Sequence, residues 1–588
     1  MKKAQKQPKQ PKIFKPTRYL KGYKGYAFGA PFFKALEAAT EIFIPYLMGN
    51  IIDIGIKTNN TAYIWKLAIL ILALNVVGIV CALVGQKCAA MAVEGMAKDM
   101  RHDIFSHINS LSHAELDQFS TTGMLNRTIH DVHHIKEGTS SFLRVAMRIP
   151  FLLIGSLAMA LSINLKLSLI FIVVCPLLLL AVFWITKHIT PLLTLSKAKL
   201  DKTSNVTREN LTGIRVVRAF NKQNYEAERF QTANYDLIGT ELKLGTWGAA
   251  LVPLVYTIIN FAIVAILYFG GIEVNIGGME QGKLISFINY FNQIASSLIS
   301  LARMITIYTR MGTSSKRINE VFLLKNSITS PENPVKIDKT NPSLSKVEFR
   351  DVSFSYNNIK NAITGLSIVV QPGQTIGIIG GTGSGKSTIT NLIPRFYDAT
   401  KGSVLIGDVN VKKYNVSELR QLVSIVPQNP TLFEGTIESN LKWRNSSATE
   451  EDMIKALKIS QSYDFVREYS DFLKHKVNRG GTNFSGGQRQ RLTIARALVD
   501  NPNILILDDS SSALDFATDA KLRKSIKQVM KNTTTFIVTQ RTNSIKDADN
   551  IIVVDAGNIV DIGTHDELLS RCNVYREIHN SQNKKEDK

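Results

Sequence analysis

Long apolar runs without a charged residue recur through the first half of the chain. Leu67–Gln86 and Leu167–Thr186 are two of them, and the others are Leu244–Ile272, Leu284–Ala302 and Ile149–Leu165. A helix needs about 20 apolar residues to cross the roughly 30 Å hydrocarbon core of a bilayer. One such run would suit a buried helix of a soluble protein, but five of them indicate membrane spans.

A sixth and weaker span precedes these runs. Segment Gly25–Ile56 is largely apolar but contains Lys34, Glu37, Glu41 and Asp53. We therefore predict an all-α transmembrane domain over residues 25–320. Its six helices are expected at about 25–56, 64–91, 143–165, 166–187, 244–272 and 283–305.

The basic residues orient these spans. The loops at about 92–142 and 187–243 are long and rich in Lys and Arg, whereas the connections on the other side are short and poor in them. Loops with excess Lys and Arg stay in the cytoplasm. We expect a multi-pass protein of the cell (plasma) membrane, with both termini and the second half in the cytoplasm. The long inner loops are expected to be helices that continue beyond the bilayer.

The pattern changes beyond residue 320. Segment 321–345 holds Pro331, Pro334 and Pro342 among Asn, Lys and Ser, which is typical of a linker. In residues 346–580, β-branched runs alternate with helix-length segments, which favours an α/β domain with a largely parallel sheet. The predicted strands are Lys346–Phe354, Thr375–Ile379, Leu422–Val426, Ile504–Leu507, Thr535–Thr539 and Ile551–Val554.

A net charge of +22 on 588 residues raises the question of nucleic-acid binding. Nine basic residues and no acidic ones lie in residues 1–24, and many others lie in the predicted inner loops. The positive charge is therefore explained by basic residues on the cytoplasmic side of the membrane, where they face the anionic lipids of the inner leaflet. No nucleic-acid partner is expected. We predict a basic arm with an interfacial segment at 1–24 and a charged tail at 581–588.

A glycine-rich motif follows the predicted strand Thr375–Ile379. It satisfies the pattern G-x-x-x-x-G-K-[ST] between a strand and a helix, a context in which backbone N–H groups surround phosphate oxygens. Lys386 is expected to reach the β- and γ-phosphates of ATP, and Ser387 and Asp508 are expected to bind Mg²⁺. The predicted ATP-binding residues here are Gly380, Gly381, Thr382, Gly383, Ser384, Gly385, Lys386, Ser387 and Thr388.

Between this glycine-rich motif, the P-loop, and Asp508 lies a second glycine motif, Phe484-Ser485-Gly486-Gly487-Gln488. It resembles the signature of ATP-binding cassette (ABC) proteins, and residues 15–580 resemble an ABC exporter half-transporter. The resemblance implies six spans followed by an α/β P-loop cassette. It also implies that two cassettes enclose two ATP molecules, each held by the P-loop of one chain and the signature of the other.

The resemblance assigns further roles. Tyr356 would stack on adenine, and Gln428 would contact Mg²⁺ at the junction with the transmembrane helices. Segment 512–515 would connect the two cassettes, and 563–568 resembles the usual closing motif. In the first half, 209–217 suits the second intracellular loop of exporters, and the first is matched by Arg101, Gly123 and Asp131.

Two residues depart from the family pattern. The family places Glu after the Mg²⁺-binding aspartate and His in its switch motif, whereas this chain has Asp509 and Gln540. A carboxylate one methylene shorter is poorly placed to polarise water, and Gln cannot accept a proton. Together these changes predict a site, comprising Asp509, Gln540 and Gln428, that binds ATP but hydrolyses it slowly. The chain would then pair with a second half-transporter in a heterodimer, as in bacterial heterodimeric multidrug exporters.

The substrate is the least determined feature. Polar residues in or near the spans either bond to one another or contact substrate; they are Lys34, Glu37, Glu41, Asn75, Asn260, Asn289, Asn292 and Gln293. A cavity of aromatics and amides with few charges would suit small amphipathic drugs. A lipid or peptide exporter, a homodimer and a regulatory membrane ATPase remain alternatives.

Overall fold

The computed structural model describes residues 15–338, 341–356 and 359–583, without the side chains of Ala302, Arg303 and Asn583. Residues 1–14 of the predicted arm and 584–588 of the predicted tail lie outside the described part. The chain forms two compact units. The first takes residues up to Asn109 and Thr121–Leu324, and the second takes Ser110–Ser120 and the chain from Lys325 onward.

The first unit is helical. A 3₁₀ turn (Pro16–Tyr23) precedes the first helix, and π-helical turns occur at Ile51–Ile56, Arg127–Asp131 and Phe142–Ala146. The α-helices are α1 Lys24–Asn50, α2 Thr61–Ser110, α4 Thr121–Asn126, α5 Val132–Ser141, α6 Arg148–Ile163, α7 Leu165–Thr212, α8 Ile214–Ala219, α9 Gln223–Asn275 and α10 Gln281–Leu323. Helix α3, His113–Leu116, belongs to the second unit.

Among the described residues of this unit, six helical stretches are long and apolar enough to cross a membrane, which confirms the predicted number. They are 41 to 53 residues long, about twice what a bilayer requires. Many of their large apolar side chains are exposed, for example those of Trp65 and Ile154. Such side chains suit contact with lipid, where exposed apolar surface carries no cost.

The charges of the first span are neutralised locally. The Lys34 ammonium donates to Glu37 at 2.6 Å, as the i,i+3 spacing predicts. The Asp53 carboxylate is buried and accepts from the backbone N–H groups of Gly282, at 2.5 Å, and Lys283, at 3.0 Å, at the start of α10. A carboxylate at a helix N-terminus is stabilised by the free N–H groups there. These contacts explain how a charged segment forms part of the bundle.

The sheet of the second unit has ten strands in the order β5-β4-β1-β2-β12-β11-β3-β10-β9-β6. Only the half of the sheet that ends at β6, β11-β3-β10-β9-β6, is a continuous parallel array, so the prediction of a largely parallel sheet holds for half of it. The strands are β1 Val347–Phe354, β2 Ile363–Val370, β3 Thr375–Gly380, β4 Lys401–Ile406, β5 Val409–Asn410, β6 Val423–Val426, β7 Gly435–Thr436, β8 Lys476–Val477, β9 Ile504–Asp508, β10 Thr534–Thr539, β11 Asn550–Asp555 and β12 Asn558–Gly563.

Both faces of the parallel array are covered. In β9, Ile504 and Ile506 join one apolar cluster, whereas Leu505 and Leu507 join the other. Continuous apolar strands are expected where helices cover both sides of a sheet. The helices here are α11 Lys386–Leu392, α12 Val416–Leu422, α13 Ile437–Leu441, α14 Glu450–Ile459, α15 Tyr463–Arg467, α16 Gly486–Leu498, α17 Phe516–Val529, α18 His565–Arg571 and α19 Asn573–Asn583.

The segment that follows α10 is bonded to the second unit. The Val335 N–H donates to the Lys413 carbonyl at 3.0 Å, and the Arg395 guanidinium donates to the Thr329 carbonyl at 3.1 Å. The sequence predicts a linker here, and these contacts fix part of it along the α/β unit.

Helix α3 is a short helix attached to the same unit. The His113 ring stacks on Phe396 with centroids 4.3 Å apart. The Tyr397 hydroxyl donates to Asp117, next to α3, at 2.6 Å. The segment Ser110–Ser120 is therefore held by contacts of its own to the α/β fold.

Candidate nucleotide site

The P-loop leaves the buried strand β3 and enters α11. Gly383 and Gly385 have φ values of +78° and +103°, a region that strongly favours glycine. A Cβ atom at Gly385 would also collide with the Ala362 carbonyl. The backbone path of the loop therefore depends on the glycine at this position.

Lys386 is folded back into its own loop. Its ammonium donates to the carbonyls of Gly380, at 3.0 Å, and Gly381, at 2.6 Å. Burial lowers the pKa of Lys386, while the carboxylates of Asp509 and Asp508 act in the opposite direction. A desolvated cation beside a glycine loop is well suited to binding phosphate.

The Ser384 side chain lies in the same loop. Its hydroxyl is buried and has no hydrogen-bond partner among the described residues. Leaving a buried hydroxyl unpaired costs about 1–3 kcal/mol. A phosphate oxygen in the loop would accept this bond, so the loop fits the triphosphate that the motif predicts.

Ser387 and Asp508, the two predicted Mg²⁺ ligands, lie next to each other. The Ser387 hydroxyl donates to the Asp508 carboxylate at 3.0 Å. Burial raises the pKa of Asp508; the Ser387 hydrogen bond opposes this effect, and the adjacent Asp509 carboxylate adds to it. Two hard oxygen donors and a second carboxylate beside them form a donor set that fits Mg²⁺.

Tyr356 stands at the edge of this site. Its hydroxyl lies 3.1 Å from the Thr388 hydroxyl. The rings of Phe354 and Tyr397 meet it nearly edge-on, with centroids 4.8 and 5.1 Å away. The Tyr356 side chain is nevertheless half exposed, so it can offer surface to a base. Tyr397, which also bonds Asp117, supports this tyrosine, and no sequence motif identified it.

Asp509 and Gln428 also meet. The Gln428 amide nitrogen lies 3.3 Å from the Asp509 carboxylate, at hydrogen-bond distance. Asp509 has φ of +46°, and its backbone N–H donates to the Val538 carbonyl at 2.9 Å. The backbone and the carboxylate of Asp509 are therefore both held by hydrogen-bond contacts, and the carboxylate has little freedom to move so as to compensate for its shorter side chain.

Gln540 directly follows strand β10, next to β3 and β9, and its side chain is exposed. Its carbonyl accepts a hydrogen bond from the Gln582 amide of α19 at 2.6 Å. The Gln582 side-chain oxygen also accepts from the Thr542 N–H at 2.9 Å. Gln582 thus secures the loop that carries Gln540, a contact that only the fold reveals.

The signature residues form the start of α16. The Ser485 hydroxyl accepts from the Gln488 N–H at 3.2 Å, and the Gln488 side chain accepts from the Ser485 N–H at 2.9 Å. Phe484 is buried in the apolar core, whereas a Cβ at Gly486 would meet open space. These bonds are local to the signature and fix the start of α16.

Two sequence families match the chain: the ABC transporter transmembrane region over residues 28–298, and ABC transporter over residues 363–512. An uncharacterized ABC transporter ATP-binding protein of Mycobacterium tuberculosis is 34% identical over 551 residues, 93% of this chain and 94% of the relative. The chain belongs to the ABC transporter family. Its cassette is therefore an ATPase coupled to transport.

Two other relatives of this transporter differ in the substrate that they are named for. An ATP-dependent lipid A-core flippase of Desulfotalea psychrophila is 31% identical over 83% of this chain and 85% of its own length. A Bacillus subtilis relative, provisionally named as a multidrug export ATP-binding/permease protein, is 30% identical over 82% and 83%.

The solved structure of a bacterial Atm1-family ABC exporter with ATP bound has the same fold. Its TM-score is 0.79 at 22% identity, and the match covers 95% of this chain and 98% of that one. The predicted fold class, six transmembrane helices followed by an α/β P-loop cassette, is thereby confirmed.

Proposed function

We propose that this transporter is one half of a heterodimeric exporter of amphipathic small molecules. Its own nucleotide site binds ATP but turns it over slowly, and its signature, Phe484–Gln488, completes the site of a partner chain. The observation that carries this proposal is the pair Asp509 and Gln540, in a site whose other elements are intact.

The position of the Asp509 carboxylate supports slow hydrolysis. Relative to Glu, the side chain is shorter by roughly 1.5 Å, and misplacing a catalytic group by about 1 Å can cost on the order of 100-fold in rate. The backbone bond of Asp509 to Val538 and its contact with Gln428 oppose a compensating movement. Gln540 adds a second loss, because an amide can hydrogen-bond a phosphate oxygen but cannot hold a proton.

The remaining residues have binding roles. Lys386 and the backbone of the P-loop would hold the phosphates, and Tyr356 would contact the adenine ring. Ser387, Asp508 and Gln428 would hold Mg²⁺, which neutralises charge on the β- and γ-phosphates when it is bound. ATP binding by two cassettes would close them and change which side of the membrane the transmembrane helices open to.

The proposed placement follows the charge pattern. Residues 25–320 cross the cell membrane, 321–345 connect the two parts, and the cassette of residues 346–580 lies in the cytoplasm. A lipid is the second candidate substrate, because one relative is named a lipid flippase.

The test is the ATPase activity of the purified full chain in lipid nanodiscs. We expect the unmodified chain to hydrolyse ATP slowly and Asp509→Glu with Gln540→His to raise the rate at least about tenfold, since both changes restore catalytic groups. Adding Lys386→Ala to that double variant is the control, and it should abolish the gain. Rapid turnover by the unmodified chain alone would contradict the heterodimer.

A further inference from the structure

A cavity of about 660 Å³ lies within the first unit. Helices α1, α2, α6 and α10 and the turn before α6 line it, and its size is in the range of drug-sized binding sites. The sequence predicts few charges in such a cavity. The structure corrects this expectation, because Lys34, Glu41, Arg144 and Arg148 all line it.

One wall is a polar stripe on α10, formed by Asn289, Asn292, Ser296 and Ser300. Their spacing of three and four residues places them on one face of the helix. Asn289 and Ser300 donate to carbonyls of their own helix. Within the described part of the chain, these four side chains make no hydrogen bond to another helix, unlike the neighbouring Gln293, which bonds Ser156 and the Glu41 carbonyl. The polar atoms of the stripe can therefore serve a ligand.

The two carboxylates beside this cavity already have cationic partners. Glu37 accepts from Lys34 at 2.6 Å, and Glu41 accepts from the Arg148 guanidinium. The Nε atom of Arg148 is buried and makes no hydrogen bond to the described residues. That atom also lies 3.8 Å from a Glu37 carboxylate oxygen, so Arg148 faces both carboxylates.

Arg144 is the one of these cations that has no carboxylate partner among the described residues. Its guanidinium donates to the Gln86 side-chain oxygen at 2.8 Å and, at 3.4 Å, to the Ser140 carbonyl, which are both neutral acceptors. The three cations that line the cavity, the carboxylate of Glu41 in its lining and that of Glu37 beside it sum to a net charge of +1. A cation without a carboxylate partner is costly beside membrane-spanning segments, and it commonly marks a functional site.

The surroundings of Arg144 combine this charge with apolar surface. Helix α6 begins at Arg148, and two of the apolar residues that follow, Ile149 and Leu152, line the same cavity. A ligand could therefore place a charged group at the arginines and an apolar part along α6. Guanidinium groups bind phosphate and carboxylate through paired hydrogen bonds, which an ammonium group cannot match.

We propose that this cavity binds the anionic head of an amphiphile, a phosphate or carboxylate on an apolar tail, with Arg144 as its main contact. This inference rests on the proposed export function, because it names the class of amphipathic substrate. The α10 stripe would contact the polar groups next to the charge. Cationic amphipathic drugs would be disfavoured by the excess positive charge.

The experiment measures binding to the full chain in phosphatidylcholine nanodiscs without ATP. The probe is a fluorescent alkyl phosphate, and empty nanodiscs correct for partitioning into lipid. Competitors share a dodecyl tail and differ in the head: phosphate, carboxylate or trimethylammonium. We expect the two anions to displace the probe at concentrations at least about tenfold lower than the cation, since hydrogen bonds to charged groups contribute about 1.5–3 kcal/mol.

Variants locate the contact. Arg144→Gln should weaken probe binding about tenfold or more, and Arg144→Lys, which keeps the charge but loses the paired geometry, should be intermediate. Lys187→Gln, which removes an exposed cation of α7, is the matched control and should bind as the unmodified chain does. ATP binding and elution as a single species establish that each variant is folded.

Three results would overturn the proposal. They are equal displacement by the cationic amphiphile, unchanged binding by Arg144→Gln, and displacement by inorganic phosphate at the concentrations at which dodecyl phosphate acts. The last result would mean a free-anion site. Because the measurement requires neither hydrolysis nor a partner chain, its failure leaves the heterodimer proposal standing, and a failure of the ATPase test leaves this one standing.

Discussion

At the scale of single residues, the nucleotide loop depends on one glycine much more than on its neighbour. Gly385 has φ of +103° and no room for a Cβ, whereas a Cβ added at Gly381 would meet open space. The two glycines thus provide a matched pair of substitutions within one loop.

We predict that Gly385→Ala lowers ATP affinity by about tenfold or more, since a side chain at such φ costs on the order of 1–3 kcal/mol before the clash with Ala362 is counted. Gly381→Ala should change affinity by less than about threefold. Binding of a fluorescent ATP analogue to the full chain measures both. Equal losses in the two variants would show that the loop is limited by something other than the Gly385 conformation.

The same scale shows which parts of the site the sequence can predict. The P-loop, Asp508 and Asp509 were found because each lies at a fixed distance from a strand or glycine pattern. Gln582 and Tyr397 were not, since their contacts join segments far apart in the chain and belong to no motif. Arg144 and Arg148 were missed because they lie at the boundary of a predicted span, where charges are ordinary.

At the scale of elements, helix α19 stabilises the loop after β10. Besides Gln582, His579 contributes, with its Nδ1 atom 3.2 Å from the Thr542 hydroxyl. The order of the Gln540 loop should therefore depend on the Gln582 side chain.

We predict that Gln582→Ala accelerates amide hydrogen exchange at residues 540–544 about tenfold, because each hydrogen bond lost contributes about 1 kcal/mol to protection. Ser581→Ala is the control, since the Ser581 hydroxyl donates to the Ile578 carbonyl within α19 and to no other described residue. Gln582→Glu should lie between them, because it can still accept from Thr542 but cannot donate to Gln540. Unchanged exchange in Gln582→Ala would refute the contact.

The contacts that hold helix α3 to the α/β fold are expected to depend on pH, because they include the ring of His113. Burial lowers the pKa of His113 below its ordinary value of 6.5, the nearby Arg420 acts in the same direction, and Asp117 opposes them. The Arg420 guanidinium also lies 5.2 Å from the centre of the Phe396 ring on which His113 stacks. The docked state therefore favours the neutral imidazole.

The sign of the effect follows from proton binding. The undocked segment binds more protons near its ordinary pKa than the docked one, so docking is fully stable above about pH 7 and weakens as the pH falls below 6.5. We predict faster amide exchange in residues 110–120 at pH 5.5 than in a His113→Phe variant compared at the same pH. At pH 8 the two should agree. Identical behaviour at both pH values would exclude His113 as the cause.

The elements also show where sequence patterns lose information. The buried parallel strands were predicted within about one residue, because apolar β-branched runs specify them. Strands β2, β4, β5 and β12 were missed, since they are only partly buried and lack that pattern. The assignment of Ser110–Ser120 to the second unit was also missed, because it depends on contacts with Phe396 and Tyr397.

At the scale of the whole molecule, the proposed assembly places every nucleotide between two chains. The capping bonds of Ser485 and Gln488 are satisfied within the signature itself. The space beside Gly486 is free, so a ligand bound to another chain could approach the signature there without rearrangement. This arrangement can be tested by complementation between two inactive chains.

In the background of Asp509→Glu with Gln540→His, we predict that Lys386→Ala and Ser485→Arg each abolish ATPase activity. The first removes the phosphate contact, and the second fills the signature. Reassembled in a 1:1 mixture, half of the dimers would contain one chain of each kind. In those dimers, the P-loop of the Ser485→Arg chain meets the intact signature of the Lys386→Ala chain.

One of the two sites in each mixed dimer would therefore be whole. The mixture should recover about a quarter of the activity of the double variant, if the two sites act independently in a twofold assembly. The control replaces the Ser485→Arg chain by a chain that carries both substitutions, because no dimer in that mixture with the Lys386→Ala chain contains a whole site. Failure of the first mixture to recover activity, with dimers present, would mean that the signature does not act across chains.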